Sequence, residues 1–385
     1  MGLLTFTGFE TGGLEEAKAT TGSPSVQTAN PRTGTYSLLL AGAVTPAVYD
    51  LDVLSIGGDP LLDDVIIGFG FRTNVVIPTN DTDFFIAINS LDGQNIRLRL
   101  KAITGDVDII DANNAVAGTI TAPFAANTQY FIEVYFEQLD SGNAEVFIND
   151  VSKISLSGKD FLNGTRKSSY LRFTGDNVAT QDIYIDDVYV LSFETAASAR
   201  YTSSFNIPRA YQDTNGGAAE GGAALNVGTW ANASETPVNE TNVATYSASN
   251  VFGFTTTDSP STRLGPTGGP TLGTIKGAKW VHRLKRATGA GTTHFKRYGN
   301  SGDGISETIV TLTTSYVNYI TVSESATEVP LATESFQYGM GTGGAQDISA
   351  AEIWAFIANV AAPEVTDHPV PPTVVRQAVQ RAAVW

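Results

Sequence analysis

At 385 residues the chain is long enough for two domains. It has no cysteine, which excludes a disulfide framework and thiolate metal sites. It carries 39 acidic against 23 basic residues, which disfavours nucleic acid as a partner, because neutralising phosphates needs Lys and Arg.

No apolar run reaches transmembrane length, and Met1 is followed by GLLTFTGFE without the basic segment that opens a signal peptide. The expectation is a chain made in a cytoplasm and not inserted in a membrane. The charge is uneven. Residues 1–200 hold 25 acids and 12 bases, whereas residues 201–385 hold 14 and 11.

Gly is abundant, and Thr, Val and Asn recur, while long Leu/Glu/Lys runs are missing, which is an all-β composition. The first strand is expected over 3–9, LLTFTGF, and ends at Glu10. Further strands follow at 33–42, at 63–74, where Gly68 and Gly70 suit a bent or closely packed strand, and at 82–90, 95–104 and 106–119. TQYFIEVYFEQL (128–139) and AEVFIND (144–150) flank a turn at 140–143, and SSYLRFTG (168–175) comes next.

Residues 181–194, QDIYIDDVYVLSFE, close the first half. Alternation would place Ile183, Ile185, Asp187 and Tyr189 on one face and Tyr184, Asp186, Val188 and Val190 on the other. Both faces are apolar or aromatic, so the strand belongs inside a sandwich, and one of the two aspartates must point into a covered layer. Such a carboxylate is either hydrogen-bonded by the chain or bound to a cation.

This succession of strands, with YFIEVYF, AEVFIND and a terminal IDDVYV, resembles the concanavalin A-like, laminin-G-type jelly roll over about residues 3–194. Such domains occur in lectins, carbohydrate-binding modules and bacteriophage structural proteins. The Cys-free, Gly/Thr/Asn-rich composition aligns this chain with the phage group. The resemblance implies a structural Ca2+ shared by Glu10 and Asp187, with host surface glycan as a partner.

Residues 196–204 read as a short linker. A second small sandwich is expected over 205–361, with a strong strand at 275–287. The whole is therefore an all-β fold of two antiparallel β-sandwich (jelly-roll) domains in tandem, 1–195 and 205–361, with a Pro-rich spacer and short C-terminal arm at 362–385. A domain order of this kind resembles phage tail and virion proteins.

Catalytic signatures are missing. The literal GxGxxG of Gly339, Gly341 and Gly344 lacks the strand–helix context of a dinucleotide site. Asp106, Asp108 and Asp111 do not fit an EF-hand loop. There is no GxSxG or HExxH, so no catalytic residue is assigned and the chain is read as a non-enzyme.

Lys279, Trp280, Arg283, Lys285 and Arg286 belong to a basic hairpin suited to an acidic neighbour, such as the first domain of another copy, to a glycan phosphate or sulfate, or to solvent. The function expected is a structural component of a tailed-phage virion, tail-associated or fibre-like, with other copies and other virion proteins as partners. The alternatives are a capsid decoration protein and a free carbohydrate-binding module.

Pro363, Pro369, Pro371 and Pro372 keep 363–372 extended. Beyond them Val375, Val379 and Ala382 share a helical face that ends at Trp385, which is read as a partner-binding residue. Deleting 363–385 is expected to leave both sandwiches folded by circular dichroism and melting while assembly falls. Loss of folding would show that the arm belongs to the second sandwich.

Overall fold

The structure is a computed structural model. It describes residues 2–9, 11–14, 16–53, 64–177, 181–193, 200–203, 205–207, 209–210, 244–247, 274–286, 291–298, 304–323, 337–342 and 347–360. These residues form strands and connections with no helix, and every strand pairing is antiparallel. Strands are numbered in chain order.

In the first half an eight-stranded sheet runs β13 (Val151–Lys159), β12 (Gly142–Ile148), β11 (Tyr130–Glu137), β6 (Asp64–Thr73), β15 (Ile183–Phe193), β4 (Ser37–Leu40) and β3 (Ser25–Gln27), with β1 (Gly2–Thr7) also on β15. A seven-stranded sheet packs against it: β10 (Val116–Ile120), β9 (Val107–Ile110), β8 (Gln94–Leu100), β7 (Thr82–Asn89), β14 (Ser168–Thr174), β5 (Val48–Asp52) and β2 (Ala19–Thr21). The chain crosses between the sheets at β1–β2, β2–β3, β4–β5, β5–β6, β6–β7, β10–β11, β13–β14 and β14–β15, the jelly-roll manner of covering one core.

Alternation within each strand sends one set of side chains into that core. Phe69, Phe71, Phe85, Leu98, Ile109, Val134, Leu171, Phe173 and Ile185 are buried there. Phe69 bridges the layers, with ring centroids 5.2 Å from Phe85 and 5.3 Å from Phe173. At one edge β10 and β13 face each other so closely that a Cβ on Gly118 would lie 2.5 Å from Ile154 Cδ1.

Strand β15 departs from simple alternation. Its pairing with β6 slips between Asp186 and Tyr189, and Asp187 has a φ of 44°. One residue is thus extra on β15, a β-bulge. Ile183 and Ile185 face the main core, and beyond the bulge Val188 and Val190 do so, while Tyr189 and Leu191 point out of the sandwich. The expected grouping of Tyr189 with Ile183 and Ile185 therefore fails at the bulge. β6 fills one side of β15. On the other side β4 pairs with 183–185 and β1 with 188–192, so the bulge lies where those two strands meet.

The outer face of the eight-stranded sheet is covered as well. Leu3, Phe6, Ile66, Phe131, Tyr135, Tyr189 and Leu191 form a second apolar cluster with Tyr201, Phe205 and Ile207. The segment read as a linker is described from Arg200 onward, and there it is packed onto this face. Gly68 makes room for the Tyr189 ring of this cluster, since a Cβ there would lie 2.1 Å from Tyr189 Cε1.

In the second half β24 (Asp347–Val360) pairs along one side with β19 (Thr274–Arg286), which also pairs β22 (Val317–Ser323). Along its other side lie β16 (Phe205–Asn206), β17 (Arg209–Ala210) and β18 (Ala244–Ser247). A three-stranded sheet holds β21 (Gly304–Leu312), β20 (Gly291–Tyr298) and β23 (Gln337–Thr342). Gly339 and Gly341 of the GxGxxG lie in β23, and a strand follows, not a helix.

Substituting Gly68→Val should destabilise the first half by at least about 1–3 kcal/mol, the usual range for overpacking. Urea unfolding checks this, and wild-type stability would contradict the close approach of Tyr189.

Candidate functional site

Among the described residues, two of the polar clusters outside the main core are built around arginines. The first is buried at the β15 bulge. The Arg32 guanidinium, from the loop between β3 and β4, donates from Nη1 to Asp187 Oδ2 at 2.9 Å and to the Phe205 carbonyl at 2.8 Å. Its Nη2 reaches the carbonyls of Ser203 and Phe205. Thr33 Oγ1 donates to Asp187, as does the Ile207 N–H. Asp186 accepts from the Arg32, Thr33 and Asp187 N–H groups.

Nearby, Glu133 accepts from Tyr189 Oη at 2.5 Å, from Arg200 Nη1 at 2.8 Å and from the Thr202 N–H at 3.1 Å. Burial pushes the Asp187 carboxyl up despite Arg32, Thr33 and the Ile207 N–H. It raises Glu133 likewise, against the opposing pull of Tyr189 and Arg200. These groups fasten 200–207 to the sheet.

The second cluster is on the outer face of the seven-stranded sheet. Since Leu171, Ala87, Leu98, Ile109 and Leu51 point into the core, alternation turns their neighbours outward. Asp50, Arg172, Ile86, Arg97 and Ile110 stand in register on five adjacent strands, a row of about 19 Å at ~4.8 Å per strand.

Arg172 forks onto Asp50, with Nε to Oδ1 and Nη2 to Oδ2 both at 2.8 Å. Asp83 clamps two guanidinium groups: Arg97 Nη1 at 2.9 Å, and Arg99 through Nε at 2.6 Å and Nη2 at 3.1 Å. Arg97 also donates to Asn114 Oδ1 at 2.7 Å. Lys101 pairs with Asp81. Tyr170 lies beside the row, with Lys18 Nζ 4.3 Å and Arg172 Cζ 5.7 Å from its ring centre. Its hydroxyl donates to Asp92 Oδ1 at 2.6 Å. Burial and that hydrogen bond push its pKa up to about 12, so the phenol stays protonated at neutral pH.

Bidentate pairs of this kind hold planar groups in fixed orientations. Arg172 and Arg99 keep 35% and 27% of their side chains exposed, so each presents spare N–H donors beside carboxylate acceptors. Arg97 and Arg99 share Asp83, and with Lys101 beside Asp81 and Asp108, and Lys18 and Asp92 beside Tyr170, five bases stand among five aspartates. The arrangement suits hydroxyl groups better than phosphates or carboxylates. Sequence reasoning did not single out these residues. The signal lay in NIRLRLK, where bases recur at every second position of a strand.

The residues singled out from sequence are not brought together. Asp187 is bound to Arg32, and Glu10 lies outside the described residues. No group of three or more metal-ligating side chains occurs among the described residues. Lys279, Trp280, Arg283, Lys285 and Arg286 lie in β19, where Lys285 Nζ stands 4.2 Å over the Tyr316 ring. Trp385 is outside the described residues.

The described fold defines an all-β chain whose first half is a jelly-roll-type sandwich. No protein-family model matches the chain, and no curated protein matches it. Solved structures resemble about half of it. Cellulose-induced protein Cip1 is 13% identical, with a TM-score of 0.38 over 50% of this chain and 100% of that one. Endo-β-1,4-glucuronan lyase from the fungus Trichoderma reesei is 10% identical, with a TM-score of 0.39 over 49% and 95%. The receptor-binding domain of botulinum neurotoxin D is 13% identical, with a TM-score of 0.33 over 46% and 45%. Likeness at this level says nothing about the activity of this chain. No helix among the described residues is long and apolar enough to cross a membrane.

Two measurements check the buried cluster. Asp187→Ala strands the Arg32 guanidinium in a buried site and should destabilise by about 3–5 kcal/mol in urea unfolding; a loss under about 1 kcal/mol, the worth of an exposed pair, would contradict it. Because the carboxyl of Glu133 is raised in the folded state, its contribution is full below about pH 4 and is lost as pH rises through its folded value. The stability of the wild type relative to Glu133→Gln should therefore shrink from acid to neutral pH, and a margin that grows would contradict the shift.

Proposed function

We propose that the chain is a saccharide-recognising structural subunit, and that the outer face of the seven-stranded sheet is its binding surface. The setting is the one implied by the sequence resemblance, a tail-associated or fibre-like position in a tailed-phage virion. The observation that carries the reading is the row of Arg–Asp contacts around Arg172, Asp50, Arg97, Arg99 and Asp83. Their orientations are fixed before a ligand arrives, which lowers the ordering cost of binding. Their spare donors and acceptors stand side by side, as vicinal hydroxyls require. A neutral saccharide is the class that fits, because the face offers no excess of either charge.

The reading is one of binding and not of catalysis. Tyr170 is protonated at neutral pH and donates to Asp92, so it is not set up to remove a proton. Arg97 and Arg172 are held by aspartates in structural pairs.

A glycan array followed by calorimetry tests the proposal. A neutral oligosaccharide should bind, with an affinity little changed between low and high salt. Arg99→Ala should weaken it at least tenfold while the protein stays folded, because Asp83 keeps Arg97 as its partner. Binding that is abolished by salt, or unaffected by Arg99→Ala, would overturn the assignment of this face. Detection of the chain in purified particles, and its position there, tests the virion setting separately.

A further inference from the structure

The cover made by 200–207 leaves part of the outer face of the eight-stranded sheet unoccupied. It packs on Phe131, Tyr189 and Leu191, at the bulge and beyond it. Before the bulge, Leu38, Phe71, Ile183 and Ile185 point into the core, so alternation turns Leu39, Arg72 and Tyr184 outward. These three stand in register on β4, β6 and β15, with Tyr184 between the other two, and all are half-buried. Tyr130 pairs with Phe71, so Gln129, the residue before it, comes beside Arg72.

Arg72 differs from the arginines described above. Arg32, Arg97, Arg99, Arg172 and Arg200 each bind a carboxylate. Among the described residues Arg72 binds none. Its Nη2 donates to Asn127 Oδ1 at 3.1 Å, its Cζ lies 5.6 Å from the Tyr184 ring centre, and its Nε is buried without a partner. The acids on either side of Tyr184 along β15 are engaged elsewhere. Asp182 is paired with Asn74 through its N–H and its carboxylate, and Asp186 accepts from the N–H groups of Arg32 and Thr33. A half-buried guanidinium met only by an amide and a ring has donors and charge to spare for an anion.

Uncharged polar groups surround it. Tyr184 Oη, Asn127 Nδ2 and Gln129 Oε1 make no hydrogen bond among the described residues. Two of these side chains are nonetheless anchored: Gln129 Nε2 donates to the Asn30 carbonyl at 3.0 Å, and the Asn127 N–H to the Thr73 carbonyl at 2.7 Å. We propose that this face binds an acidic saccharide. Its carboxylate takes Arg72 Nη1, its hydroxyls take the three uncharged groups, and Leu39 offers apolar surface to the C–H side of the ring. A bare phosphate would use Arg72 and leave the rest unused, whereas a neutral sugar would leave the guanidinium unmet. The inference does not rest on the reading of the seven-stranded sheet, since the two faces take different sugars.

The test uses the full chain. It is screened on an array of oligosaccharides that carry uronic or sialic acid, each beside its methyl ester, and the tightest ligand is taken to calorimetry. The free acid should bind, and the ester at least tenfold more weakly. Arg72→Gln keeps an amide donor for Asn127, so it should melt as the wild type does and weaken binding at least tenfold. Tyr184→Phe keeps the ring beside Arg72 and removes only the hydroxyl, so it should weaken binding several-fold. A neutral oligosaccharide bound on the seven-stranded sheet should not displace the acid. Failure of every acidic glycan to bind would overturn the proposal, as would an ester that binds equally well. So would binding indifferent to both substitutions, or displacement of the ligand by a neutral oligosaccharide or by inorganic phosphate at the same concentration.

Discussion

The first half depends on a buried charge, the Arg32 guanidinium, and on the carboxylate that receives it. Arg32 leaves the loop before β4, lies with Cζ 4.3 Å over the Phe131 ring, and ends on Asp187 and the carbonyls of 203 and 205. A charge removed from water is tolerated only with its hydrogen bonds made. Several features of the sequence satisfy that one requirement. Gly70 has no Cβ, and one there would fall 2.8 Å from Arg32 Cδ. β15 bulges so that Asp187 can turn toward the guanidinium. β4 and β1 stop on either side of the bulge, which leaves the place that Arg32 and Thr33 enter. Residues 200–207 supply the carbonyls and cover the site.

The consequence is a sandwich with unlike outer faces. The eight-stranded sheet is covered by Tyr201, Phe205 and Ile207, and Phe205 also pairs through its backbone with Val360 of β24. The passage from the first half to the second is therefore fastened through Phe205. On the seven-stranded sheet the outer row covers itself, with Asp50, Ile86, Arg97 and Ile110 buried, and Arg172 and Arg99 keep 35% and 27% of their side chains in solvent. Recognition is assigned to this face because its partly exposed arginines, Arg172 and Arg99, are held in fixed orientations by Asp50 and Asp83.

Much of the fold was legible because its strands obey a period of two between turn signals. DVIIGFGFRT, TDFFIAIN, YFIEVYFE and SSYLRFT all became strands near the expected bounds. The strand β13 was not legible. VSKISLSGK has only Ile154 and Leu156 facing inward, and an edge strand needs no more. β5 and the three-residue β2 and β3 were missed for similar reasons of brevity.

The bulge had a signal that went unread, because the aliphatic residues of IYIDDVYV fall at 183 and 185 and then at 188 and 190, a change of phase across Asp186–Asp187. The demand that a buried aspartate be satisfied was legible. Its partner was not, because nothing local to Arg32 marks it as buried. The recognition face escaped notice because each of its bases reads singly as a solvated residue until the register sets Asp50, Arg172, Ile86 and Arg97 side by side.

Hydrogen exchange on the full chain, with and without the tightest-binding neutral oligosaccharide, tests the central claim most directly. The account predicts added protection at the amides of β14 and β8, around Arg172 and Arg97–Arg99, with 200–207 unchanged beneath its existing cover. Protection confined to other parts of the chain, or none at saturating ligand, would contradict it.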